Sequence, residues 1–158
     1  MPDTAVNTNT PIRFEAGGIF RLTDGATDYA FANMEPGSIS IEPGGYEPLE
    51  YKDRGEQQLP LEGDERITTI KVRMKLTRGT GSGELNTLGT ARDTSTGKMK
   101  AYTLALEIPH YKGASAKQKC SIANTYFAKP PMVQTGEQFD TIEAELRSTE
   151  PLPTWSTI

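Results

Sequence analysis

Apolar and polar residues alternate with a period of two along several stretches of this chain, which is the pattern of β-strands buried on one face. The clearest stretch places Ile70, Val72, Met74 and Leu76 on one side and Lys71, Arg73, Lys75 and Thr77 on the other. The segments with this character are residues 12–23, 28–42, 67–78, 102–108, 120–126 and 138–148. They predict a mainly β fold, an antiparallel β-sandwich or barrel whose outer face meets water or a partner.

Only one segment has helical spacing. Leu85, Leu88 and Ala91 recur every three residues and predict one short α-helix over residues 82–93, with Ser82 as its N-cap. A helix of this length is marginal on its own in water, so we expect it to pack on the sheet. Gly89 inside the helix would permit a close approach between the two.

The chain divides into one domain with an arm at each end. Residues 12–149 form the predicted single β-sandwich domain. Residues 1–11 have too little apolar surface to offset the entropy of ordering, so we expect this N-terminal arm to order only against a partner. Residues 150–158 form the predicted extended C-terminal arm, in which Trp155 is a natural anchor for a partner's pocket.

A long loop, residues 43–66, separates the second and third predicted strands. Repeated Gly and Pro residues interrupt it, yet it contains too many apolar residues for a loop that is only exposed to solvent. We favour an ordered projection that contacts another subunit; the alternative is a floppy segment or a self-packed hairpin over residues 51–59. The candidate contacts with other subunits are Tyr46, Leu49, Tyr51, Arg54, Leu59, Leu61 and, from the C-terminal arm, Trp155.

The outer faces of two predicted strands are opposite in charge. Residues 71–75 carry Lys71, Arg73 and Lys75, and the last strand carries Glu143 and Glu145. If the strands are neighbours, these are cross-strand ion pairs of about 0.2 to 1 kcal/mol each. Otherwise the charges could meet across a subunit boundary. We favour the first interpretation.

Composition narrows the class of protein. With 158 residues the chain is one domain, and its 35% hydrophobic content is low enough that neighbouring subunits could supply part of its stability. A net charge of -4 argues against a dedicated nucleic-acid surface. Because Cys120 is the only cysteine, no internal disulfide is possible. With no long apolar run and no secretory signal, we expect a soluble product and no membrane partner.

Candidate catalytic chemistry is sparse. A hairpin centred on Ser115 would set His110 opposite Cys120, on a face shared with Ile122, Asn124 and Tyr126. A thiolate pair would also need an orienting third group and a cleft, so cross-strand packing is the favoured interpretation. The glycines of residues 79–83 depart from the dinucleotide-binding spacing, and no acidic cluster has the spacing of a calcium loop. We therefore predict no enzyme activity, no cofactor and no metal.

The order of these elements resembles the major tail tube protein of long-tailed bacteriophages, whose fold is similar to the type VI secretion tube protein. The residues that carry the resemblance are the strands at 67–77 and 99–108, the insert at 44–66, the helix at 84–91 and the closing strand at 139–147. The resemblance implies hexameric rings stacked into a tube around a tape-measure protein, with tail completion proteins as further partners. DNA would pass through without specific binding.

By the same resemblance, residues 43–66 would reach the next ring and both arms would lie along adjacent subunits. The resemblance also implies that the outward charges would lie at a ring interface or in the lumen; these are Lys71, Arg73, Lys75, Glu143 and Glu145. The protein would be assembled in the bacterial cytoplasm and reside in the virion tail. Alternatives of the same class are a tail terminator, a head-to-tail completion protein or a capsid decoration protein. From a different class, a carbohydrate-binding module could use Tyr46, Tyr51 and Trp155 as stacking platforms.

Overall fold

The computed structural model describes residues 18–32, 38–52, 58–76, 81–110 and 115–158. The predicted N-terminal arm, residues 1–11, lies outside the described residues. The elements, in chain order, are β1 (Ile19–Thr23), β2 (Asp28–Ala32), β3 (Ile39–Glu42), β4 (Tyr46–Lys52), β5 (Gln58–Glu65), β6 (Thr68–Lys75), α1 (Gly81–Thr90), β7 (Tyr102–Pro109), β8 (Lys117–Phe127), β9 (Met132–Gln134), β10 (Thr141–Ser148) and β11 (Thr154–Thr157). The predicted mainly antiparallel β fold with one short helix is confirmed.

One large antiparallel sheet forms the body of the molecule. Its strand order is β2-β1-β7-β8-β10-β6-β3, with β11 paired to β8 and β9 paired to β10. The long strand β8 pairs with β7 along one edge, while its other edge pairs first with β11 and then with β10. The remaining strands, β4 and β5, form a separate two-stranded sheet.

Residues 28–42, which the sequence predicts as a strand segment split by Pro36 and Gly37, form two separate strands. Strands β2 and β3 both come from this segment, but β2 pairs with β1 and β3 pairs with β6, at opposite ends of the sheet order. The sequence between them contains Pro36, which has no N–H to donate to a β-ladder, followed by Gly37. The break is therefore a crossover from one end of the sheet to the other.

A β-bulge in β8 changes which residues face the core. The register of β7 with β8 shifts between Tyr102 and Leu104, and Asn124 has a positive φ of 51°. Asn tolerates this left-handed conformation better than most residues. Beyond the bulge Thr125 and Phe127 are buried, while Asn124 is exposed. The predicted inward positions of Asn124 and Tyr126 are therefore wrong, since one extra residue reverses the alternation.

The core lies between the inner face of the sheet and α1. It contains Phe20, Leu22, Phe31, Ile70, Val72, Met74, Leu85, Leu88, Tyr102, Leu104, Ile122, Phe127, Ile142, Ala144 and Leu146. The Tyr102 hydroxyl donates to the Leu88 carbonyl at 3.1 Å, which ties the helix to β7. A side chain at Gly89 would collide with Pro131, so glycine permits the predicted close approach. The helix begins and ends within three residues of the predicted bounds.

The C-terminal segment returns to the body of its own chain. Strand β11 pairs antiparallel with β8, and the Ile158 and Lys117 backbones exchange hydrogen bonds of 2.9 and 2.8 Å. This differs from the arm along an adjacent subunit that the resemblance implied. The strand forms because the first half of β8 has a free edge once β10 has paired with its second half.

Candidate functional site: assembly surfaces

The long insert forms a β-hairpin, which we call the hairpin and define as residues 46–65. In its register Leu49 lies opposite Leu61 and Tyr51 opposite Leu59. Residues that are cross-strand partners, or two apart on one strand, occupy the same face of an antiparallel pair. Four of the predicted contact residues thus occupy positions on one face. The predicted hairpin over residues 51–59 is the outer part of this longer ribbon, and Arg54 lies outside the described residues.

The hairpin is joined to the body at a set of backbone contacts that we call the root junction. The buried Thr68 hydroxyl donates to the Glu150 carbonyl at 2.8 Å and the Pro151 carbonyl at 3.2 Å, and accepts from the Gly44 N–H at 3.3 Å. The Gly45 N–H donates to the Pro151 carbonyl at 2.9 Å. The root junction therefore connects the start of the hairpin, the start of β6 and the segment before β11.

Sequence reasoning missed Thr68 as part of the root junction. The signal was available, because Thr68 occupies the inward position of the alternating series that continues with Ile70 and Val72. A hydroxyl at a core position must find hydrogen-bond partners. Its register partner Ser148 is also fully buried, and its hydroxyl donates to the Ala123 carbonyl at 2.6 Å. What the sequence could not reveal is the identity of the partners, since they come from residues about 80 positions away in the chain.

Beyond the root junction, the hairpin stands apart from the main sheet. Among the described elements, β4 and β5 pack extensively only against each other. Tyr46, at the beginning of the hairpin, is 38% exposed, and Glu47 forms an exposed ion pair with Arg66 at 3.4 Å. The positions of Leu49, Tyr51, Leu59 and Leu61 therefore lie on a two-stranded sheet that is separate from the main sheet.

The two oppositely charged strands, β6 and β10, are neighbours. Arg73 lies opposite Glu143, Lys71 opposite Glu145, and Lys75 opposite Thr141. Within the described part of the chain, however, no salt bridge of 4.0 Å or less joins Lys71 or Arg73 to either glutamate. Glu145 instead pairs with Arg147 on its own strand at 3.0 Å.

Lys75 makes a cation–π contact, with its Nζ 4.3 Å from the centre of the Phe139 ring. The strands thus have the arrangement that the favoured interpretation required, but the ion pairs that it predicted for Lys71 and Arg73 are not formed.

An open groove of about 460 Å³ crosses this charged surface. Its lining residues, which define what we call the basic groove, are Ser38, Ser40, Lys71, Val72, Arg73, Lys129, Met132, Glu143, Ala144 and Glu145. Three of these residues are basic and two are acidic. At one side of the groove β9 exposes Met132 and Val133, which are 45% and 55% accessible, and Phe139 nearby is 55% accessible. A cationic surface with an apolar border suits an acidic and apolar protein segment better than a small uncharged ligand.

Trp155 lies on the exposed strand β11. Its side chain is 60% accessible, and the neighbouring Leu152 and Ile158 are 55% and 54% accessible. Among the described strands, β11 pairs only with β8, so its outer edge offers unpaired backbone groups. Trp155 and Tyr46, two of the three candidate glycan platforms, lie on strands of different sheets.

The predicted juxtaposition of His110 and Cys120 is wrong. Cys120 lies opposite Leu106, and the His110 N–H donates to the Ala116 carbonyl at 3.1 Å, so His110 is not the cross-strand partner of Cys120. Cys120 is fully buried, and burial raises the pKa of its thiol. A reactive cysteine needs the opposite shift, because the thiolate is the nucleophile.

Several other charged residues in the described ranges have partners of opposite charge. Glu107 is nearly buried, and its carboxylate lies 3.4 Å from Arg21 Nε and 3.6 Å from Lys117 Nζ. The Lys100 ammonium donates to Asp24 at 2.6 Å, and this hydrogen bond, with those from the Thr27 and Ala26 N–H groups, lowers the pKa of the Asp24 carboxyl. These contacts connect neighbouring strands and turns, which is a structural role.

The described residues include no cluster of three or more His, Cys, Asp or Glu side chains placed to bind a metal ion. They also include no helix with the length and apolar character needed to cross a membrane.

The fold of this chain is similar to the folds of tube and tube-terminating proteins of phage tails and contractile injection systems. It aligns with a chain of the sheath–tube complex of an extracellular contractile injection system, PVC, at a TM-score of 0.63 and 11% identity, covering 97% of this chain and 93% of that one. It aligns with the tube-terminating cap of the anti-feeding prophage at a TM-score of 0.65 and 13% identity, covering 99% and 97% of the two chains.

A third alignment is to the tail tube of SPP1, at a TM-score of 0.50 and 13% identity, covering 88% of this chain and 77% of that one. These identities are low, so the similarity is one of fold, and at that level the predicted resemblance to tail tube proteins is confirmed. No protein-family model matches the sequence. No curated protein sequence matches it either.

Proposed function

We propose that this protein is a structural, non-enzymatic component of a tail, and that its copies assemble into rings that stack into the tail tube. The observation that carries the proposal is the hairpin. It places four apolar positions on one face of a two-stranded sheet that is separate from the main sheet. An apolar face on a separate ribbon is typical of a surface that another protein buries. The fold shared with tube and tube-terminator proteins makes a second copy the natural partner.

The finer features follow from the resemblance to tail tube proteins. The rings would be hexameric, and the tube would enclose a tape-measure protein and later serve as the conduit for DNA ejection. Six copies of a chain of net charge -4 carry about -24 per ring, which disfavours retention of DNA in the lumen. Tail completion proteins would bind the ends of the tube. The protein would be made and assembled in the bacterial cytoplasm and become part of the virion.

A tube terminator is the second candidate. The alignment with the tube-terminating cap has a TM-score of 0.65, as high as that with the sheath–tube complex at 0.63. A terminator would share the subunit contacts within one ring but would not stack on further copies of itself. The two candidates therefore differ in the length of the assembly and not in the fold.

Electron microscopy of the purified protein in negative stain, over a range of concentrations, tests the proposal. Long cylinders support a tube protein, and single rings support a terminator. A particle that stays monomeric at millimolar concentration contradicts both, and glycan binding by that monomer would support the carbohydrate-binding alternative.

The hairpin itself is tested with the variant Leu49→Ser/Leu61→Ser, for which we expect a folded protein with impaired assembly. The matched control is Leu152→Ser, which removes an exposed leucine outside the hairpin. Normal assembly by the double variant would contradict the role of this face.

A further inference from the structure

The hairpin carries a concentrated negative charge. Residues 46–65 contain seven acidic and two basic residues, a net charge of -5, while the whole chain has a net charge of -4. The rest of the molecule is therefore slightly positive. Of the described acidic side chains, Asp64 and Glu65 are exposed, and only Glu47 has a basic partner, Arg66. In the register Glu50 lies opposite Pro60 and Glu62 opposite Pro48, positions on the face that does not carry the four apolar residues.

The basic groove carries charge of the opposite sign. Lys71, Arg73 and Lys129 are all exposed, and no ion pair to a described residue occupies the first two. Of the two glutamates in the lining, Glu145 is already paired with Arg147 at 3.0 Å. The remaining charge is positive, and the exposed apolar residues of β9 border it. The groove and the hairpin are thus complementary in charge.

The positions of the two surfaces determine what kind of contact they can make. The root junction fixes the hairpin at the Thr68 end of β6, whereas Lys71 and Arg73, which line the groove, lie at the middle of that strand. The hairpin and the groove are therefore two different surfaces of the molecule. A contact between two different surfaces of neighbouring copies is heterologous, and repeated contacts of this kind generate rings or open filaments instead of closed dimers.

We propose that the acidic hairpin of one copy docks into the basic groove of the next copy, and that this contact sets the head-to-tail direction of assembly. The proposal rests on the proposed function, because it requires that copies of the chain assemble. It adds the receiving surface and the nature of the attraction. Because surface charges are screened by salt, the protein concentration at which assembly begins rises about tenfold between 50 and 500 mM NaCl.

Charge reversal on each side of the contact provides the decisive test. The groove variant is Lys71→Glu/Arg73→Glu, and the hairpin variant is Glu50→Lys/Glu62→Lys. Each alone is expected to raise the concentration needed for assembly at least tenfold. The chain that carries all four substitutions restores attraction with the signs exchanged, so it is expected to assemble again.

Two further variants keep the test clear. Arg92→Glu/Lys98→Glu makes the same chemical changes at exposed positions outside the groove, and we expect it to assemble normally. Lys71→Gln/Arg73→Gln removes the positive charges without placing new acids beside Glu143 and Glu145, so its folding does not depend on tolerating like charges. We expect this variant to raise the concentration needed for assembly by a smaller factor than the charge reversal does. Circular dichroism and thermal melting establish that each variant is folded.

The outcomes separate this proposal from the proposed function. Assembly of the wild type together with normal assembly of both groove variants overturns the docking contact but leaves the tail tube assignment intact. Loss of assembly in the groove variant without rescue by the four-fold variant overturns the hairpin as the occupant. A wild-type protein that does not assemble at any salt or protein concentration overturns both.

Discussion

Replacing Thr68 by valine should loosen the root junction, because valine preserves the shape of the side chain and removes its hydroxyl. The change leaves the Gly44 N–H and the Glu150 carbonyl without a partner at a position where Thr68 itself is 0% exposed. An unsatisfied buried polar group costs about 1 to 3 kcal/mol. Two such groups, both partly buried, predict a loss of about 2 to 4 kcal/mol, a large share of the roughly 5 to 15 kcal/mol that stabilises a typical domain.

Urea unfolding followed by circular dichroism measures this loss. With a slope of about 2 kcal/mol per molar urea, the midpoint should fall by about 1 to 2 M. Two protein concentrations should be compared, so that self-association does not contribute to the apparent stability.

Two further substitutions serve as controls for this experiment. Thr68→Ser keeps the hydroxyl and should cost no more than about 1 kcal/mol. Thr103→Val makes the same change at an exposed position of β7 and should lie within about 0.5 kcal/mol of the wild type. If Thr68→Val matched Thr103→Val, the hydroxyl would not hold the root junction together.

Three more predictions concern the body of the molecule. Gly89→Ala should destabilise the protein by about 1 to 3 kcal/mol in thermal or urea unfolding, because overpacking against Pro131 outweighs the gain in helix propensity. The control Asn86→Ala, on the exposed side of the helix, should be neutral or mildly stabilising, and equal effects of the two substitutions would refute the close contact at Gly89. Asn124→Ala should cost about 1 kcal/mol and Asn124→Gly much less, because φ is positive there; the reverse order would contradict the bulge geometry. Hydrogen bonding to Lys100 lowers the pKa of Asp24, so the stability that the Asp24 carboxylate contributes is complete above the unfolded pKa of about 3.9 and is lost as the pH falls further. The difference in melting temperature between wild type and Asp24→Asn should therefore shrink between pH 5 and pH 2. A difference that stays constant would argue against this stabilising role of the ionised Asp24.

The alternation in β6 and β10 was enough to predict these strands and the fold class. Both strands are buried on one face along their whole length, so every second residue faces the core and the alternation is unbroken. The helix was predictable for the same reason, since Leu85 and Leu88 face the sheet. Where a strand contained an irregularity, the pattern failed. At Asn124 a single inserted residue reversed the faces of β8, and periodicity alone does not locate such an insertion.

Features that depend on contacts distant in sequence could not be predicted. The pairing of β11 with β8 and the crossover between β2 and β3 depend on which strand edges remain free once the other strands have paired. The register of β7 with β8 was predicted wrongly because the sequence before β8 contains more than one residue suited to a turn, among them Gly113 and Ser115. For the candidate site, composition identified the hairpin residues and the charged strands, but the basic groove required the relative placement of β3, β6, β9 and β10.

The root junction also affects the energetics of any contact made by the hairpin. Hydrogen bonds from Thr68 and Gly45 hold the base of the hairpin to the segment before β11, so its direction of departure is fixed by the folded body before a neighbour arrives. With its base fixed in this way, the hairpin keeps one orientation relative to the folded body. Association then loses less conformational freedom than the docking of a flexible loop, and a displacement of the hairpin would be transmitted directly into the sheet that supports it.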